Sequence, residues 1–150
     1  FRTPGTHFVW LRHPLDRDIS QYNYDMGKGD IDGDSFEDHC YKLEGNFIIL
    51  WLYTNYLCKD KVDSIELKYD TVRDCLKNTF KKVFCLKNFE QSWNEVADIL
   101  NIDREPRQNT NRSLQDYKKY ISKENLTEEF ITWHENHNKL DYQLYNEFCA

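Results

Sequence analysis

Two spacings of apolar residues divide this chain. Phe8-Val9-Trp10-Leu11 is a short, unbroken apolar run rich in β-formers, which predicts a buried strand. Pro14 disfavours helix at His13 and suits the first helical position, so a helix follows at once. Asp16 and Asp18 fall in its first turns, where the helix dipole favours negative charge. Lys82 to Leu86 predicts a second strand and Asn88 to Leu100 the helix after it. Leu86, Phe89, Trp93, Val96, Ala97 and Leu100 recur every three to four residues and mark one inward face. Strand then helix, twice, implies parallel pairing in an α/β layer.

The remainder reads as mostly helical. Ser35 caps a short helix through Phe36, Cys40, Tyr41 and Leu43, which Gly45 ends. Asn46 to Cys58 is a mostly apolar helix expected to be buried on several sides. Asp70 to Phe80 is amphipathic, and Thr127 caps a helix expected to run unbroken to the chain end through Phe130, Trp133, His137, Leu140, Leu144 and Phe148. Residues 25–34 and 103–123 read as polar loops. The fold class is therefore α/β in one domain over residues 1–150, with few parallel strands and a mostly helical remainder.

Composition narrows the picture. The formal net charge of −6 argues against a nucleic-acid binder, and no apolar run reaches the roughly 18 residues of a membrane span. The charge is polarised, however. Residues 25–70 hold 11 acids against 5 bases, whereas residues 104–123 hold 6 bases against 2 acids, leaving one basic segment late in the chain. The 5 cysteines include no C-x-x-C pair and no zinc pattern, and buried thiols or one or two disulfides both remain open. Asp30, Asp32 and Asp34 have the spacing of a calcium loop, but Ser35 and Tyr41 stand where that loop needs glycine and glutamate. His134 to His137 is not a zinc-protease motif, because Asn138 replaces the second histidine, and Trp133 and His137 read as core or edge residues.

Arg12 sits where the first strand ends, and Ser20 lies two turns into the following helix. In open α/β sheets ligands bind beyond the carboxyl ends of strands, and a guanidinium there matches two phosphate oxygens. The pattern Leu11, Arg12, Pro14, Arg17, Ser20, Tyr22 resembles the 3′-phosphate-binding segment of sulfotransferases that use 3′-phosphoadenosine 5′-phosphosulfate (PAPS). The likeness is to the carbohydrate, heparan sulfate 2-O-like branch. It extends to Phe84–Ile102 and to the closing L-T-E-E-F segment, and departs at His13, where the branch more often carries an acid.

The resemblance implies a P-loop-type sulfotransferase fold, with Arg12 and Ser20 gripping the 3′-phosphate of PAPS and Arg112, beside Lys118 or Lys119, contributing from the basic loop. Arg17 is expected to pair locally and Tyr22 to pack. The implied reaction is sulfuryl transfer to a hydroxyl acceptor, a carbohydrate, without a metal. The implied setting is the Golgi lumen if the source is eukaryotic and the cytoplasm if bacterial. The family's 5′-phosphosulfate loop and its histidine base precede this segment and have no counterpart here. His7 is the nearest histidine but leads straight into a strand. A chain opening at Phe1 just before a strand is thus expected to be an N-terminally truncated piece, with no signal peptide, that does not turn over alone. The alternative is a non-catalytic helical interaction module on the same scaffold. A P-loop kinase fits less well, since neither a Walker lysine nor a magnesium-binding aspartate pattern is visible.

Overall fold

The first strand, β1 (Phe8–Leu11), pairs in parallel with β2 (Lys82–Cys85), in a register that sets Val9 against Val83 and Leu11 against Cys85. A computed structural model describes residues 5–31, 33–57, 64–103 and 120–150. Around the two strands lie seven α-helices among the described residues: α1 (Pro14–Lys28), α2 (Phe36–Lys42), α3 (Phe47–Leu52), α4 (Ile65–Asn78), α5 (Phe89–Leu100), α6 (Glu128–His137) and α7 (Lys139–Cys149). The expected α/β class, parallel pairing and mostly helical remainder are present. None of the described helices is long and apolar enough to cross a membrane.

Local chemistry explains most boundaries. Ser35 accepts from the Asp38 N–H and Thr127 from the Phe130 N–H, so both expected caps are in place. Helix α1 runs further than the sequence suggested. Gln21 Nε2 donates to the Asp25 carboxylate at 2.8 Å one turn on, and the chain turns only at Gly29, at φ 77°. The stretch from Asp25 to Lys28 is therefore helix rather than loop. Helix α4 likewise begins earlier than expected, because Ser64 caps it.

Three expectations are corrected. Gly45 does not end α2, which stops at Leu43 in an extended conformation. Gly45 is instead required by space, since a Cβ there would overlap the carbonyl oxygen of His137. Helix α3 is buried on one side only: Ile49 and Leu52 are in the core, while Phe47 and Trp51 are 41% and 44% exposed. The closing helix is broken in two at Asn138, at φ −107° and ψ 27°.

That break has a tertiary cause. Asn138 Nδ2 donates to the His134 carbonyl, and its Oδ1 accepts from the Asn46 N–H at 2.9 Å. Asn46 in turn accepts from the N–H groups of Leu140 and Asp141 at the start of α7. Asp141 then accepts from Ile48 and Ile49 at the start of α3, at 2.8 and 3.0 Å. Each helix supplies the other's cap, satisfying orphan donors that neither could satisfy alone.

Two apolar clusters hold the layers together. One gathers Leu11, Ile49, Leu52, Val72, Leu76 and Leu144 around the strands. The other joins Leu15, Ile19, Tyr22, Phe36, Cys40 and Phe130 beneath α1. Trp10 adds a directional tie: its indole N–H donates to Ser92 Oγ at 2.8 Å, anchoring β1 to α5. A disulfide links Cys85, the last residue of β2, to Cys149 at the end of α7. Cys40 and Cys75 are free thiols.

Candidate functional site

Parallel strands deliver the residues that follow them to the same edge of a sheet. Arg12 follows β1 and Lys87 lies just past β2, and both line a cleft of about 210 Å³ with His13, Asp16, Leu86 and Tyr145. Arg12 is half-buried, and among the described residues its guanidinium makes no hydrogen bond or ion pair. Lys87 Nζ donates to the Cys149 carbonyl at 3.0 Å, so the disulfide-tethered end of α7 steadies the second cation. A guanidinium and an ammonium lining one cleft are complementary in charge to an anion.

Ser20 is half-buried on α1, one turn beyond Asp16 on the same stripe, but it does not line this cleft. Arg112, Lys118 and Lys119 lie outside the described residues. His13 faces Tyr142 and Tyr145 edge-on at 5.2 Å, and burial lowers its imidazole below the ordinary value, with Asp16 opposing. A neutral His13 leaves the cleft's positive charge to Arg12 and Lys87. Lys87 went unnoticed in the sequence, although the parallel register places it one step from the position opposite Arg12.

A second, larger concavity of about 530 Å³ opens between α1, α3 and α6. Arg17 bonds to Asp18 and its guanidinium lies 3.4 Å from the centre of the Phe47 ring. The expected local pairing of Arg17 is therefore present, as is the packing of Tyr22 against Phe36. At the floor, fully buried His134 places Nε2 2.9 Å from Asp18 Oδ2 and Nδ1 3.1 Å from the Tyr142 hydroxyl. A carboxylate accepts, so Nε2 carries the hydrogen and Nδ1 receives the Tyr142 proton, which burial holds firmly on the phenol. Both ring nitrogens are thus engaged within the protein.

Trp133 stacks on His137 at 4.7 Å, and His137 Nε2 donates to the Leu43 carbonyl. Both are partly buried at the edge of the cavity, the position their sequence context implied. Cys40 also lines this cavity, but burial pushes its thiol up to about 12, so it is not a nucleophile at neutral pH. His134 was missed in the sequence, where its neighbours drew attention. Its role depends on a partner 116 positions away.

No family model, curated protein or solved structure matches this chain.

Proposed function

We propose that the chain is the 3′-phosphate-binding part of a PAPS-dependent sulfotransferase acting on a carbohydrate hydroxyl, in a P-loop-type sulfotransferase fold. The observation that carries this reading is the convergence of Arg12 and Lys87, from the carboxyl ends of two adjacent parallel strands, on one cleft. About 210 Å³ suits a single phosphate group rather than the whole nucleotide. Arg12 would form the bidentate contact and Lys87 would add a point charge. Ser20, which the sequence pairs with Arg12, lies outside this cleft and is given no contact to the phosphate, and Arg112 is the contribution assigned to the basic loop.

When bound, the cofactor supplies the sulfuryl group. The chain's own residues bind and orient its ribose phosphate, which is positioning rather than bond-making. The Cys85–Cys149 disulfide supports the luminal setting, since such bonds persist in oxidising compartments. One observation favours the interaction-module alternative. Asp16 also lines the cleft, and its carboxylate opposes an anion there.

Thermal denaturation with adenosine 3′,5′-bisphosphate tests the proposal. A site of this kind stabilises by about 2.7 kcal/mol at a hundredfold excess over Kd. Arg12→Ala and Lys87→Ala should each remove most of that gain. A wild-type protein that ignores the nucleotide, or an Arg12→Ala variant that responds like wild type, sinks the reading.

A further inference from the structure

The cavity between α1, α3 and α6 shares no lining residue with the Arg12 cleft, and an inference from it does not rest on the sulfuryl-transfer reading. Its volume of about 530 Å³ lies within the range of small-molecule pockets. Three carboxylates line it, from Asp18, Asp25 and Glu44, against a single guanidinium. That guanidinium, Arg17, is already neutralised by Asp18 and stacked on Phe47. Asp25 is held only by the neutral amide of Gln21, and Glu44 has no hydrogen-bond or ion-pair partner among the described residues.

The aromatic wall is the second half of the argument. Trp51 is 44% exposed and lines the cavity, its ring touched edge-on by Tyr56. Among the described residues no cation of the chain lies over it, whereas Phe47 carries Arg17. An open indole face and two carboxylates that form no ion pair among the described residues line one cavity and are complementary to a weakly hydrated cation.

We propose that this cavity binds an organic ammonium ion, with its alkylated head on the Trp51 ring and its charge answered by Asp25 and Glu44. A polyanionic ligand is disfavoured there by the same carboxylates. The alkyl groups of a quaternary or substituted ammonium also bury apolar surface against Leu43, Leu50 and Trp133, which a bare metal cation cannot do.

The test compares choline with 3,3-dimethylbutan-1-ol, its uncharged carbon isostere, by tryptophan fluorescence and calorimetry on the unmodified protein. Choline should bind saturably and the isostere about tenfold more weakly, because only the positive charge differs. In the Asp25→Asn, Glu44→Gln double variant that preference should vanish, and Trp51→Ala should weaken choline several-fold; all these side chains are surface-accessible, and far-UV circular dichroism checks folding. Co-sedimentation with phosphatidylcholine vesicles would assign the cation to a lipid headgroup, and binding of free choline alone to a soluble amine. Equal binding of choline and the isostere, or no saturable choline signal at millimolar concentration, overturns the proposal.

Discussion

His134 and Asp18, 116 positions apart, meet at 2.9 Å, and this contact joins α6 to α1, the helix that carries Asp16 into the Arg12 cleft. The imidazole is fully buried, and its other nitrogen is met by Tyr142. Buried polar groups in such a chain stabilise only while every partner is present.

Truncating His134 to alanine removes both hydrogen bonds and leaves a void in the second apolar cluster. The expected cost is about 3 kcal/mol, against about 1 kcal/mol for Tyr142→Phe, which deletes a single hydroxyl. Urea denaturation of the two variants measures both. Equal midpoints for wild type and His134→Ala would show that the chain of contacts contributes nothing.

Asp141 provides a pH dependence of defined sign. Burial pushes its carboxyl up to about 7 from an ordinary 3.8, against the opposite pull of the Ile48 and Ile49 N–H groups. The folded protein therefore holds this proton more tightly than the unfolded chain does. The stabilisation from Asp141 is complete below about pH 4 and is lost as pH rises through about 7. Asp141→Asn, which cannot ionise, should lose less melting temperature than wild type between pH 5 and pH 8. A constant difference between the two across that range would refute the assignment.

The Cys85–Cys149 bond spans 64 residues, and reduction should cost about 4 kcal/mol if its effect is to restrict the unfolded chain. Melting curves with and without dithiothreitol, repeated on Cys149→Ser, measure this. The serine variant should melt low and ignore the reductant. Persistent sensitivity in that variant would place the redox-active pair elsewhere.

What could be read ahead of the structure follows a physical division. Phe8–Leu11, the Pro14 helix start and the Ser35 and Thr127 caps depend on neighbours a few residues away, and each is where the pattern placed it. The need for glycine at position 45, the start of α3 and the break at Asn138 depend on contacts across more than ninety positions, between Gly45 and His137 and between Asn46 and Asn138. No local rule contains those. The place of Arg12 at the carboxyl end of β1 was legible because the apolar run that precedes it marks the strand. Lys87 needed the strand register, and the exposure of Phe47 and Trp51 needed the cavity that their apolar run conceals. Ser20 sits on the expected helix but outside the cleft, since one turn of α1 separates it from Asp16.

The exchanged caps of α3 and α7 carry a consequence for how the molecule opens. Because Asn46 serves the start of α7 and Asp141 the start of α3, fraying of one segment strips the other of its terminal acceptor. The two segments should therefore come apart as one cooperative unit, and their amide protons should trade with solvent at a shared rate despite the long stretch of chain between them.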